Sequence, residues 1–470
     1  MMEASDRPHY DLVLTGGTVV TLDDDRRVLE PGAVAVSGNR IVAVDAADRV
    51  DASGARRVID CSGCVVMPGF VDCHSHLAQM LIKSLGEGLT TWDWLSTLTF
   101  PVADSVTRDE VVAGTRLAAL EAVRAGITCV VDNQYMPPDP ETTVAVAGAM
   151  EAVGIRGAVA RGMTGTSPPA MAFRDSGSRP NYYTTGEELA IIAELLSGWS
   201  SGRLVALWPG PLNIAFNDQE MIAGAAELAR QFGTKWHTHC CESPGDPDVY
   251  RRAYGTTPIA WLHREGLLGP DVTLAHAIWV TDDEVAALAE TGAAVAHNPV
   301  SNASLGVGTM PLIQMLDAGV VVGLGTDGPA VGHRQDPFEV MKQTALVQRV
   351  RTESASVITS ETVLETAALG GAAFTGLDVG VLAPGRLADL IVADVTGPSC
   401  LPSQRTATTV VNSVTGANVR MVVVDGRIVV DDARCVTVDE QEVIEEAERA
   451  VANLGDRVGL DRFSVSWAGG

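Results

Sequence analysis

Basic charge is in short supply in this chain: 33 Lys and Arg face 59 Asp and Glu across 470 residues, a formal net charge of −26. No basic cluster offsets the surplus, which excludes nucleic acid and anionic membrane surfaces as partners. Long apolar runs are missing as well. None reaches the roughly 18 residues that a membrane span requires, and the N-terminal stretch MMEASDRPHYDL has no apolar core of the kind a secretion signal carries. Cysteine is sparse, with 8 in the whole chain, too few for a disulfide framework at this length. The one C-x-x-C, Cys61 and Cys64, lacks the second pair that a structural zinc site needs, and it reads as strand and turn. Together these absences predict a soluble protein of the reducing cytoplasm.

What is present is apolar residue content of 46%, ample for a large core. The first 66 residues are β-rich: YDLVLTGGTVVTL, GAVAVSGNRIVAV and RVIDCSGCVVM are Val-, Ile- and Thr-rich runs broken by Gly, Asn and Asp. The style returns near the C-terminus, where VVVDGRIVV carries the Asp-Gly signal of a hairpin, and an amphipathic helix is predicted over 438–454. Between these ends, eight short apolar runs alternate with helical patterns: 70–76, 127–132, 155–160, 203–208, 234–239, 272–276, 293–297 and 320–327. Strands buried on both faces read in this way, and eight of them with intervening helices make an α/β (β/α)8 TIM barrel. The predicted organisation is residues 1–66 as one part of a small β-sandwich, 67–375 as the barrel, and 376–470 as the rest of the sandwich with the terminal helix. The polar segment 167–183 follows the third strand and is predicted to lie at the barrel mouth.

The chain has 9 histidines, and five of them close predicted barrel strands: His74 and His76 on the first, His239 on the fifth, His276 on the sixth and His297 on the seventh. Asp327 closes the eighth. Strand residues two apart share a face, so His74 and His76 point the same way. The C-terminal strand ends of a barrel ring one mouth, where active sites are built. A lone H-x-H is more often a pair of ordinary polar residues; this concentration at one rim is not expected of scattered structural histidines. Four neutral imidazoles and one carboxylate suit Zn²⁺, or Fe²⁺ as second choice. The fourth strand, RLVALWPGP, offers no lysine to bridge a second ion, so one divalent metal is expected. Glu242, three residues past His239, is placed to accept a proton from water activated by such an ion; alone it would read as a solvated loop charge.

The stretches PGFVDCHSHL, HTHCCE, LAHAIW, AHNPVSNASLGVG, GLGTDGPA and GVLAPGRLADLIVAD together resemble the amidohydrolase superfamily. They are closest in motif to the branch of S-adenosylhomocysteine, guanine, 8-oxoguanine and cytosine deaminases and triazine hydrolases. The resemblance spans about residues 10 to 435. It implies His74, His76, His239, His276 and Asp327 as metal ligands and Glu242 as proton shuttle. It implies His297 as the group that polarises the attacking oxygen and steadies the tetrahedral adduct, and Asp327 as a second proton acceptor. It further implies Gln79 and Arg161 as contacts to a heterocycle, the alternative for Arg161 being a salt bridge within the barrel mouth. Trp92 and Trp94, two apart at a helix start, leave room for one to face the pocket, and Trp92 is taken as the stacking wall, with core packing expected of the other. His237 reads as packing or support behind a ligand. Ser304 and the run GPAVGHRQD, with His333 and Asp336, depart from the pattern of nucleoside-directed relatives.

The implied reaction is hydrolytic deamination of an aminated aromatic N-heterocycle (purine, pterin or s-triazine) through attack of metal-activated water on a ring carbon. Such an enzyme takes a small-molecule substrate, and the resemblance implies a homodimer or larger homo-oligomer. Triazine chlorohydrolysis or alkylamine hydrolysis is the nearest alternative, although chloride leaves without a proton and so has no need of Glu242. Cyclic amide hydrolysis wants a binuclear centre and its bridging lysine. A metal-free barrel serving as a scaffold would be expected to lack ligands, and none is missing.

Overall fold

The computed structural model describes residues 10–135, 137–167, 183–200 and 202–463. All eight expected barrel strands form. They are β1 (Phe70–Ser75), β2 (Ile127–Gln134), β3 (Arg156–Met163), β4 (Val205–Pro211), β5 (Trp236–Cys240), β6 (Val272–His276), β7 (Ala294–His297) and β8 (Val321–Leu324). They pair in parallel as two ladders, β1 to β4 and β5 to β8. The ladders join through single bonds beyond the regular strands. On one side Asn213 bridges His239, with the His239 amide donating to Leu212 O at 3.3 Å. On the other, the Asp327 amide donates to His74 O at 2.9 Å. Both closures are made by, or directly beside, candidate site residues. The strands β2 and β3 are buried along their whole length, as strands covered by helices on one side and core on the other must be.

Local signals set the helix boundaries. Thr107 with Glu110, Thr184 with Glu187 and Thr281 with Glu284 form reciprocal capping boxes ahead of the helices Arg108–Arg124, Thr185–Gly198 and Asp282–Thr291. Gly154 (φ 92°) and Gly233 (φ 66°) end the helices Pro140–Val153 and Gln219–Phe232 in the left-handed conformation that glycine adopts without a Cβ penalty.

The two termini build one sheet of nine strands rather than two separately bonded layers. Leu390–Asp394 from the C-terminal part pairs antiparallel with Cys64–Pro68 from the N-terminal part, and this contact welds the halves. The terminal helix forms over Glu440–Val458, longer than expected. It lies on the barrel helix Arg108–Arg124, where Arg116 pairs with Glu446 and Arg124 with Glu440. Val443, Ala447, Ala450 and Leu454 supply its buried stripe. The predicted mouth segment 167–183 falls almost wholly outside the described residues. Among the described residues no helix is long and apolar enough to cross a membrane, and all eight cysteines are free.

One buried ion pair ties the barrel to the nine-stranded sheet. Arg156, at the start of β3, donates from Nε to Asp389 Oδ2 at 2.8 Å and from Nη2 to Asp389 Oδ1 at 3.1 Å. It also donates to Asp425 Oδ1 at 2.8 Å, while the Asp425 amide donates to Asp389 Oδ1. Removing one member of such a pair strands the other charge, at a cost of about 3–5 kcal/mol, whereas apolar replacement of both is often near neutral. Asp389→Ala is therefore expected to lower the urea midpoint by several tenths of a molar or more. The double change Arg156→Met with Asp389→Leu should recover much of that loss, as followed by circular dichroism.

Candidate active site

His74 and His76 leave β1 toward the barrel axis, as two-residue spacing requires. Their Nε2 atoms both lie 3.6 Å from Asp327 Oδ1. His276 Nε2 lies 3.7 Å from Asp327 Oδ2, and His239 Nε2 lies 3.1 Å from His76 Nε2. Two overlapping triads result, His74–His239–His276 and His74–His76–Asp327, with the ligand atoms of each within 4.8 Å of one another. All five residues are buried. His74 Nε2 and His276 Nε2 have no hydrogen-bond partner, an arrangement that buried polar atoms avoid unless something else occupies the space between them.

The outward ring nitrogens explain the orientation. His76 Nδ1 faces Asn133 O at 2.6 Å, and His239 Nδ1 faces Leu212 O. His276 Nδ1 faces Asn302 Oδ1 at 2.9 Å, with Asn298 Nδ2 farther off at 3.4 Å. An oxygen acceptor demands N–H at Nδ1, so Nε2 of His76 and His239 keeps its lone pair and directs it inward, and the nearer oxygen favours the same for His276. Burial, before any other cause, pulls His74 and His239 well below the ordinary imidazole range and lowers His76. Burial thus favours the neutral form of these three imidazoles, the form that metal binding requires. The donor set and its orphaned nitrogens fit a zinc-type ion.

Two ligands sit on strained backbone. His276 has φ 74° and Asp327 has φ 62°, left-handed values that non-glycine residues rarely take. Such residues persist only where the surroundings over-determine them. Asp327 does not close a regular strand as expected: β8 stops at Leu324. Residues 325–327 leave the ladder, with the Gly325 amide on His297 O and the Asp327 amide on His74 O. Asp72 holds this departure from beneath, accepting from the Thr326 amide at 3.0 Å and from Thr326 Oγ1 at 2.5 Å. Gln335 Nε2 donates to Asp327 O at 3.2 Å.

A small cavity opens over the triads. Glu242 lines it together with His76, His239, His276 and Asp327. Burial raises the Glu242 carboxyl to about 7, with Asp246 and Asp327 pushing the same way against His276. His297 is fully buried beyond the lining, with neither ring nitrogen partnered. Burial and the neighbouring His276 hold it at about 3.

The expected substrate contacts divide. Gln79 lines the cavity with both amide atoms buried and unpartnered. It lies so close to the 328 position that a Cβ there would sit 2.0 Å from Gln79 Oε1, which explains the glycine. Trp92 is a correction: the helix start turns Trp94 into the lining, while Trp92 packs edge-on against Phe216 at 5.6 Å. Arg161 is also a correction. It is fully buried outside the lining, with Nε and Nη2 on Glu188 Oε2 at 3.3 and 3.1 Å and Nη1 on Thr143 Oγ1 at 3.1 Å. The salt-bridge alternative for this residue is what forms. His333 is exposed, and Asp336 caps the helix Pro337–Thr352 and accepts from the Gly416 amide, so neither reaches the cavity. Val331 lines it from that segment, and Tyr135, Asn213, Phe216 and Leu305 complete a wall that motif reading did not assign. Asn302 was also missed, although it lies inside the quoted HNPVSN.

The Amidohydrolase family pattern matches residues 65–429. A 5′-deoxyadenosine deaminase of Methanosarcina mazei is 32% identical over 448 residues, covering 95% of this chain and 99% of its own length. A 5-methylthioadenosine/S-adenosylhomocysteine deaminase of Nitratidesulfovibrio vulgaris is 34% identical over 433 residues, covering 91% and 94%. Among solved structures, a zinc-bound adenosine deaminase of Xanthomonas campestris superposes with a TM-score of 0.87 at 25% identity, covering 96% of this chain and 100% of that one. A zinc complex of an atrazine chlorohydrolase from Arthrobacter aurescens gives 0.86 at 25% identity, covering 94% and 100%. With a family match over most of its length and relatives aligned nearly end to end, the chain belongs to the amidohydrolase family.

Proposed function

We propose that this enzyme hydrolytically deaminates an aminated aromatic N-heterocycle, with an adenine nucleoside as the favoured substrate and ammonia as the product. The observation that carries the reading is the meeting, in one buried cavity, of inward-facing imidazole lone pairs with the raised carboxyl of Glu242. The activities for which the relatives are named, on 5′-deoxyadenosine, methylthioadenosine and S-adenosylhomocysteine, support the adenine choice.

In this reading His74, His76, His239, His276 and Asp327 hold one divalent cation, zinc by preference. Such an ion supplies Lewis acidity and makes water nucleophilic at neutral pH. Glu242 takes a proton from the attacking water and delivers it to the departing amine, so ring–NH₂ and H₂O become ring C=O and NH₃. A carboxyl held near 7 is matched to both halves of that transfer. Gln79 orients the ring through its unpartnered amide, and Trp94 supplies an aromatic wall. His297, buried behind the lining with its ring held neutral by burial and His276, is assigned to steady the tetrahedral adduct. Hydrolysis of a triazine substituent is the second reading, favoured by the likeness to the atrazine chlorohydrolase.

The two readings separate by product. Ammonia release from 5′-deoxyadenosine, methylthioadenosine, S-adenosylhomocysteine and guanine is expected to exceed any release of chloride or alkylamine from atrazine. Chloride release without ammonia from any purine would overturn the proposal. Glu242→Gln should keep its zinc and lose about 10²- to 10⁴-fold in kcat; native turnover in that variant removes Glu242 from the mechanism. Prolonged dialysis against a chelator should abolish turnover and Zn²⁺ should restore it, whereas Asp327→Ala should purify with little zinc by elemental analysis.

A further inference from the structure

His76 and His239 present Nδ1 to a backbone carbonyl, which fixes their tautomer, and the nearer partner of His276 Nδ1 is likewise an oxygen, that of Asn302. His74 differs. Its Nδ1 lies 2.8 Å from Nε2 of another histidine, His237. An imidazole nitrogen can donate or accept, so this contact by itself leaves the His74 proton free to sit on either nitrogen. If it sat on Nε2, His74 would present N–H to the cation and could not bind it.

His237 continues the chain. Its Nδ1 lies 2.8 Å from Thr273 Oγ1, and Thr273 Oγ1 donates its one proton to Trp236 O at 3.0 Å. With that proton committed, the hydroxyl can only accept from His237. His237 then carries its proton on Nδ1 and offers a lone pair at Nε2. His74 must donate to it from Nδ1, and the His74 lone pair is left on Nε2, facing the other ligands. All of His74, His237 and Thr273 are fully buried, so no solvent water competes for these bonds. Reversing the polarity of the relay would deprive Trp236 O of this donor and would close the metal site.

We infer that Thr273 and His237 are positioning residues that select the metal-competent tautomer of His74. The inference rests on the proposed metal centre and deepens it: a hydroxyl two residues removed from the ion along the hydrogen-bond chain sets metal affinity. Partners behind a ligand are worth about 10- to 100-fold in metal affinity.

The test is zinc titration of the metal-stripped full chain at fixed pH against a chromogenic chelator, beside the thermal midpoint of each metal-free protein. Thr273→Val keeps the shape and removes the hydroxyl; its Kd for Zn²⁺ is expected to rise about 10- to 100-fold. Thr273→Ser restores the hydroxyl and should return to within about 3-fold of the native Kd. If Thr273→Val does not fold, the pair His237→Gln and His237→Met decides. The Gln carbonyl can still accept from His74 and should retain affinity, and Met should lose it. Native zinc affinity in Thr273→Val or His237→Met overturns the inference, as does a variant that lowers only the midpoint of the metal-free protein. Failure of the native chain itself to bind zinc would instead overturn the metal centre.

Discussion

The constraint on which the site depends is the direction of a few imidazole lone pairs in a space without water. Four histidines, on or just past β1, β5 and β6, each have one nitrogen engaged outward and one turned inward, that of His239 toward His76 and the others toward Asp327. Burial disfavours protonation of His74, His76 and His239, which reduces the charge repulsion that protonated rings would bring. The same burial leaves inward nitrogens of His74 and His276 unsatisfied. An unpaired buried polar group costs about 1–3 kcal/mol. A fold that gathers two of them at one point carries a cost that a bound cation would offset.

Barrel closure and site assembly are one event. The bonds that join β4 to β5 and β8 to β1 are made by His239 with Leu212 and Asn213, and by Asp327 with His74. Candidate site residues are therefore closing elements of the barrel: His239 and His74 from within paired strands, and Asp327 from the segment that follows β8. Asp327 reaches its place at φ 62°, on a segment held by Asp72 beneath and Gln335 beside it. Backbone strain of order 1–3 kcal/mol per residue at His276 and Asp327 is tolerable because these surrounding bonds leave no relaxed alternative.

Much of this was legible in the sequence, for a physical reason. Strands buried on both faces are continuous apolar runs, and a polar residue at the end of such a run stands out, so His74, His76, His239, His276 and Asp327 were visible by contrast alone. Glu242 was visible by its distance from His239. The strand β8 was read three residues too long because GTD continues the chain's direction after its ladder has ended, and pairing is a tertiary property that composition does not encode. Trp92 was chosen over Trp94 because a spacing of two at a helix start says that the pair diverge without saying which faces inward. Arg161 lay on a strand end like the ligands, yet its partner Glu188 sits 27 positions further along the chain, on a helix that had not been placed against it. Asn302 faces the outer nitrogen of His276 and Thr273 that of His237, and nothing in their spacing marks those contacts.

The division between what strands and connecting segments contribute bears on substrate choice. The candidate metal residues sit at or just past strand ends, held by the bonds of barrel closure. The cavity wall comes from the segments that follow: Trp94 and Leu95 after β1, Asn213 and Phe216 after β4, Leu305 after β7 and Val331 after β8. Side chains on these segments can change without disturbing any bond that holds the ligands. One metal chemistry can therefore be kept while the wall is rebuilt around rings as different as adenine and atrazine, which accounts for deaminases and a chlorohydrolase superposing on this chain almost equally well. By the same logic, Gln79 is the wall residue most closely coupled to the chemistry. It is three positions from His76 and lies against Gly328, the neighbour of Asp327, so a ring held by its amide would be registered directly against the histidine cluster.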